Sequence, residues 1–360
     1  MADYDPFDRG PHTVGVRTAD LVVGDDEARA GGAPSGGGPR VVPVEVWYPA
    51  AGVEPGADTD PATQDRYSAM EGLPPTPQEA VRDAAVADGR FAPIVFSHGF
   101  AGHRRQTTHL CTHLASHGYV VAAPDHVGNT TADVMGWMMG GTPPADMDGY
   151  MRACAADRPR DARATLDALL SGELGVPTLD DGAGMAGHSF GGWTTLTTTA
   201  QDDRIVAALP LAPAGGNMDG AFAQTGVFEE LVELDWGRAV PTLMIVADED
   251  SVLPLSSMHD LLDRGSSLDR MVVLVNADHF HFCDGVEVIH DLMAPMMGGQ
   301  TKTAAEFVPG NHAHQVTNGL GLAHFDATIR EVPEAAALLE RSLEDVLAAR
   351  GIAVTDLAGA

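Results

Sequence analysis

Short unbroken runs of apolar residues recur through the middle of this chain, and stretches with helical spacing separate them. The runs lie at 93–97, 119–123, 183–187, 205–211, 242–247 and 270–275. A strand buried on both faces reads as a continuous apolar run rather than an alternation, which points to parallel strands covered on both sides. Helical spacing is predicted at 106–117, 160–170, 192–200 and 256–264. Strands alternating with helices in this way predict an α/β fold, a mostly parallel, doubly wound sheet flanked by helices. Upstream, 13–23 reads as a first strand region. Residues 40–48 alternate well enough for a second, and Pro43 argues for an edge position because it cannot donate to a ladder. Residues 24–39 read as a surface loop. Residues 49–90 form a polar, Pro-rich excursion with a weak helical pattern over 77–87.

Three segments interrupt the alternation. Residues 129–151 are rich in Met, Gly and Trp, including Met135, Trp137, Met138, Met139, Met147 and Met151. Residues 215–238 carry Phe222, Phe228 and Trp236 between two strands. Both read either as ordinary loop with satellite core or as lid or cap insertions over a substrate pocket, a task that suits Met because it repacks easily. Residues 283–360 read as a mainly helical C-terminal extension, clearest at 334–350. With no internal repeat, 1–360 is expected to form one domain with these additions.

Composition narrows the function classes. The chain has 360 residues, 44 % of them hydrophobic, which is ample for a core. Its 51 acidic against 21 basic residues give a net charge of −30, and Lys302 is the only lysine. Such a surface repels nucleic acid and anionic membranes, so neither is an expected partner; a small molecule is. Cys111, Cys154 and Cys283 form an odd, widely spaced set that suits a reducing compartment better than a disulfide framework. The acidic start Met1-Ala2-Asp3-Tyr4-Asp5 is not that of a secretory signal, and no run has the length of a membrane span. A cytoplasmic location is the expectation.

The chemistry concentrates at Gly187-His188-Ser189-Phe190-Gly191-Gly192, between the apolar run ending at Gly187 and the helical run after it. This is Gly-x-Ser-x-Gly in strand–turn–helix context, the signature of a nucleophile elbow. A serine hydroxyl attacks only when a base reaches it and the charged intermediate is stabilised beside it. A turn after the strand exposes Ser189 and aims the first N–H groups of a helix at the reacting centre. The base needs a carboxylate to orient it. After the run 242–247 comes Asp248-Glu249-Asp250, and Asp250 is the preferred acid with Asp248 as competitor. After the run 270–275 comes Asn276-Ala277-Asp278-His279-Phe280-His281, and His279 is the preferred base with His281 as competitor. His290, His312, His314 and His324 read as surface or satisfied core histidines. The crowd of Asp278, His279, His281, Asp284, Glu287 and His290 raises the question of a metal, but neither H-E-x-x-H nor a Cys pair is present, and no metal is expected. The backbone N–H groups of Phe190 and of Phe100, in Ser97-His98-Gly99-Phe100-Ala101-Gly102, are the expected oxyanion donors. Met135, Trp137, Met138, His188 and Trp193 are candidates for the substrate pocket.

With these elements in chain order Ser, acid, His, the chain resembles the α/β-hydrolase superfamily over nearly its whole length. More narrowly it resembles platelet-activating-factor acetylhydrolase-like and related bacterial serine esterases. The residues that carry this are Phe96-Ser97-His98-Gly99-Phe100, the run from Leu114 through Gly118 and Pro124 to His126, and Gly187 to Gly192. One departure stands out: the acid of the acetylhydrolases follows the sixth strand, but 205–213 contains no carboxylate. That moves the acid to Asp250, as in cutinase-like and dienelactone-hydrolase-like relatives. The resemblance implies hydrolysis of short to medium acyl esters through an acyl-enzyme, without metal or organic cofactor. Amide or lactone hydrolysis, cofactor-free perhydrolysis and plain ligand binding on the same scaffold remain alternatives. Arg158-Pro159-Arg160-Asp161, read as opening a helix, has no chemistry assigned to it from sequence.

Overall fold

The computed structural model describes residues 4–24, 39–68, 74–138, 141–217, 226–265, 267–293 and 302–359. By contact density the chain forms two compact units, residues 9–183 and residues 1–8 with 184–360.

In the unit 9–183 four long strands run in the spatial order β3 (Ala92–Ser97), β4 (Tyr119–Pro124), β2 (Arg40–Ala51) and β1 (Val14–Val23). The β3–β4 pair is parallel, and β2 pairs antiparallel with both β1 and β4. All six residues of β3 and of β4 are buried, which is why each reads as an unbroken apolar run. Helices α1 (Thr108–Ser116) and α3 (Met147–Ser171) pack on these strands, and α2 (Thr131–Met138) lies between them in sequence.

Three expectations need correction here. Strand β2 is internal, not an edge. Pro43 accepts from Asp125 N through its carbonyl, so its missing N–H faces the same neighbour, just past the Val44–Pro124 pair at the end of that ladder. The weak helical pattern over 77–87 is not a helix: Val81–Arg82 adds to β1, Ala85–Val86 adds to β2, and Asp83 at φ +55° breaks the run. The helix expected at 160–170 starts much earlier, at Met147, where the Asp146 side chain caps Gly149 N at 2.9 Å. Pro159 therefore lies inside α3 rather than at its first turn, and Arg158 to Asp161 is a mid-helix segment.

In the other unit the order is β9 (Val354–Ala358), β8 (Arg270–Leu274), β7 (Leu243–Ala247), β6 (Ile205–Leu211) and β5 (Ala183–His188). The β6–β7 and β7–β8 pairs are parallel, and β9 closes the edge antiparallel to β8. Helix α4 (Phe190–Gln201) packs on β6 and α6 (Leu255–Arg264) on β7; the short α5 (Val227–Leu231) lies in the segment 215–238. The C-terminal region holds α7 (Val286–Met293), α8 (Gly310–Thr328), α9 (Pro333–Leu339) and α10 (Leu343–Ala348), so it is largely helical as expected. It ends in β9, which was not expected: a five-residue edge strand with a mostly half-exposed pattern gives no apolar run to read. No helix among the described residues is long and apolar enough to cross a membrane.

Candidate active site

Ser189 is the first residue after β5 and the N-cap of α4, with φ +59° and ψ −118°. That region of backbone space is costly for a residue with a Cβ, on the order of 1–3 kcal/mol, and persists only where neighbours over-determine it. They do so here. Ser189 N donates to Leu211 O at 2.9 Å, and Ser189 O accepts from Ala214 N at 3.1 Å and Trp193 N at 3.0 Å. Gly192 allows the close approach that these bonds need: a Cβ on it would lie 2.7 Å from Pro213 Cα. The serine keeps 9 % of its surface exposed in otherwise buried surroundings.

Asp250 follows β7 and His279 follows β8, and the structure brings them together. His279 Nδ1 lies 2.7 Å from Asp250 Oδ2, both side chains almost fully buried. The other carboxylate oxygen of Asp250 accepts from Val252 N at 2.8 Å and Leu253 N at 2.6 Å, which fixes its plane. The competitors are otherwise engaged. Asp248 accepts from Ala277 N at 3.1 Å. His281 accepts at Nδ1 from Asp278 N and donates from Nε2 to Val308 O, each at 3.0 Å.

Asp278, not singled out as a site residue from sequence, ties the two loops together. It accepts from Ser251 N at 2.7 Å and contacts His290 Nδ1 at 2.8 Å. Burial pushes the Asp278 carboxyl up, but the Ser251 hydrogen bonds and the nearby His279 outweigh it, and the group lies below the usual carboxylate range. His188 packs its ring against that of His279 with centroids 4.5 Å apart, and its Nε2 donates to His279 O at 3.0 Å. Burial, reinforced by His279, holds His188 neutral, well below the ordinary histidine value. It thus ties the histidine loop to the end of β5.

The remaining pocket candidates divide. Trp193 is buried and donates from Nε1 to Phe228 O at 3.0 Å, while Phe190 packs edge-on to Phe228 at 4.5 Å. Met135 and Trp137 lie half-exposed on α2 in the unit 9–183, and the side chain of Met138 lies outside the described residues. Phe100 lies in the loop after β3, its ring edge-on to Trp137 at 6.3 Å. Thr131 at the start of α2 donates to that same loop, from N to Gly102 O at 2.8 Å and from Oγ1 to Ala101 O at 2.7 Å.

A hydrogen-bonded Ser–His–Asp chain, invisible in the sequence, lies in the unit 9–183. Ser97 Oγ is 2.8 Å from His126 Nε2, and His126 Nδ1 is 3.0 Å from Asp161 Oδ2. Its three members are essentially unexposed, and Asp161 also pairs with Arg40. Burial and the nearby Arg158 and Arg40 hold His126 neutral. With no strained backbone at Ser97 and no exposure, it is a structural network.

A ferulic acid esterase from Streptomyces cinnamoneus superposes with a TM-score of 0.65, 25 % identity, and coverage of 91 % of this chain and 93 % of that one. The chain has the α/β-hydrolase fold. A family model described as platelet-activating factor acetylhydrolase, isoform II, matches residues 76–136. In sequence the chain is similar to bacterial ester hydrolases over about half its length. A bis(hydroxyethyl) terephthalate hydrolase of Streptomyces coelicolor is 30 % identical over 199 residues, 54 % of this chain and 53 % of that protein. Cutinase est1 of Thermobifida alba is 31 % identical over 197 residues, 53 % of this chain and 54 % of the cutinase. The match thus spans about half the length of these curated relatives.

Proposed function

We propose that this chain is a serine hydrolase of carboxylic esters. The observation that carries the reading is the buried Asp250–His279 pair at 2.7 Å in the same compact unit as a serine held at φ +59° between strand and helix. In this reading His279 donates its Nδ1 proton to Asp250, which leaves the Nε2 lone pair to take the Ser189 hydroxyl proton. Ser189 Oγ then bonds to the ester carbonyl carbon, whose oxygen becomes the anion. The Phe190 N–H, at the start of α4, is one donor to it. The Phe100 N–H is the second, on the strength of its place after β3. Collapse breaks the C–O bond, the departing alcohol takes the proton from His279, and the acyl group stays on Ser189. Water repeats the steps and releases the acid.

For the substrate we propose short to medium acyl esters, and esters of aromatic acids within that range. The names of the Streptomyces relatives, a terephthalate-ester hydrolase and a ferulic acid esterase, support the aromatic extension. Turnover of p-nitrophenyl esters from acetate to octanoate, of methyl ferulate and of bis(hydroxyethyl) terephthalate tests the reading, with Ser189→Ala in parallel. The expected result is activity greatest on short or aromatic acyl groups and a loss of at least about 10³-fold in Ser189→Ala. Wild-type turnover in that variant would sink the mechanism.

A further inference from the structure

Arg158 is an unusual residue for the middle of a helix that packs on a sheet. It is fully buried, and removing a guanidinium from water costs several kcal/mol unless strong hydrogen bonds repay it. The acceptors it meets include backbone. Nη1 donates to His98 O at 2.6 Å, Nη2 donates to Gly99 O at 2.9 Å, and Nε and Nη2 both reach Asn129 Oδ1, at 3.2 and 2.5 Å. A planar fork with donors on adjacent nitrogens suits two successive carbonyls, and a lysine does not.

Those two carbonyls belong to the peptides on either side of Gly99. A trans peptide is planar, with its C=O and N–H on opposite sides. Holding Gly99 O therefore sets the direction of the Phe100 N–H. Other groups fasten the same plane. His98 Nε2 accepts from His126 N at 3.0 Å, so its proton sits on Nδ1, which donates to Gly99 O at 2.7 Å. Gly102 N also donates to Gly99 O, at 3.2 Å, and Gly99 N donates to Gln106 Oε1 at 2.9 Å. Burial, with Arg158 and His126 nearby, keeps His98 neutral, consistent with this tautomer. The Gly99–Phe100 peptide is thus anchored on its oxygen side by the guanidinium, the His98 imidazole and a backbone N–H.

We propose that Arg158 is a positioning residue: it pins the Gly99–Phe100 peptide so that the Phe100 N–H points away from the buried cation and is left free of it to act as a donor. The proposal rests on the reading of Phe100 as an oxyanion donor. It accounts for a segment, Arg158 to Asp161, to which the sequence assigned no chemistry. Asp161, one helical turn on, holds His126, whose backbone N–H holds His98, so Arg158 directly and Asp161 through His126 both support the Gly99–Phe100 loop.

Arg158→Lys keeps a buried charge and loses the fork; Arg158→Met removes both. Each is compared with the parent by ester kinetics and by the Phe100 amide resonance in ¹⁵N-phenylalanine-labelled protein, assigned with Phe100→Leu. The expected result is a kcat lowered about 10- to 100-fold in Arg158→Lys and further in Arg158→Met, since losing one oxyanion donor costs about 10²–10³-fold. KM should stay within about threefold, and the Phe100 amide should shift or broaden. A folded Arg158→Lys protein with kcat within twofold of the parent and an unmoved Phe100 amide overturns the proposal. A rise in KM with kcat intact does so too, because that marks a packing role. If Arg158→Met fails to fold, Arg158→Lys decides. If the parent itself turns over no ester and Ser189 takes no phosphonate label, the esterase reading falls. The amide signal in Arg158→Lys then still decides whether the arginine sets that peptide.

Discussion

Ser189 is held in a conformation that its own side chain disfavours, and that strain is measurable. Replacing it with alanine removes the hydroxyl but keeps a Cβ at φ +59°. Replacing it with glycine removes the strain as well. The strain is worth about 1–3 kcal/mol, against about 0.5–1 kcal/mol for the extra flexibility of glycine in the unfolded chain. Ser189→Gly is therefore expected to be more stable than Ser189→Ala by about 1 kcal/mol in denaturant titration, with both inactive. Equal stabilities, or the opposite order, would mean that the elbow is not under strain. At this scale the sequence was informative about the turn at Ser189 and the meeting of Asp250 with His279, because each residue follows an apolar run within a few residues. It carried no signal for Asp278 as the tie between the two loops, since a carboxylate in an acidic protein is unremarkable until its donors are seen.

Among the elements, α4 depends on one small residue. Gly192 lets the helix press on the chain after β6, where Pro213 Cα would stand 2.7 Å from any Cβ. Backbone on the other side of that contact cannot swing away as a flexible side chain would. Gly192→Val is expected to destabilise by about 1–3 kcal/mol and to lower ester turnover, because Ala214 N and Leu211 O hold Ser189 from that same stretch. A melting temperature equal to the parent's would show that α4 can retreat freely. Helix α3 shows where reading by element fails: Arg158 to Asp161 reads as the opening of a helix, yet the helix begins at a capping Asp146 and runs through Pro159. Only packing against the sheet decides that a proline is tolerated there.

For the molecule as a whole, buried neutral histidines govern the response to acid. His98, His126, His188, His281 and His324 all lie below the ordinary histidine value, with burial the largest cause, and His324 is pushed down to about 4. In the unfolded chain each takes up a proton near pH 6.5, whereas in the folded protein each resists it. Their contribution is thus fully present above pH 6.5 and is lost as pH falls from there toward the folded values, by up to about 1.4 kcal/mol per histidine per pH unit. The net charge of −30 works the other way, since acid relieves repulsion, so the test belongs in high salt where that repulsion is screened. Melting temperature is expected to fall steadily from pH 7 to pH 5 in 0.5 M salt. A flat profile would mean that these imidazoles are hydrated or protonated in the folded state.

The amino-acid sequence determined by itself the class of fold and the sharp turn at Ser189. Continuous apolar runs demand strands buried on both faces, and Gly-x-Ser-x-Gly after one of them demands a sharp exit to a helix. Those are local rules, obeyed within a few residues. The tertiary structure alone decided which partners meet. It paired His279 with Asp250 rather than Asp248, fastened His281 to Val308, and built from Ser97, His126 and Asp161 a relay that never meets solvent. It also set a buried arginine against two carbonyls some sixty residues away in the chain. Such choices depend on burial and direction across long sequence separations. A hydrogen bond is worth making in the interior only where both partners have lost water together, and no pattern along the chain records that.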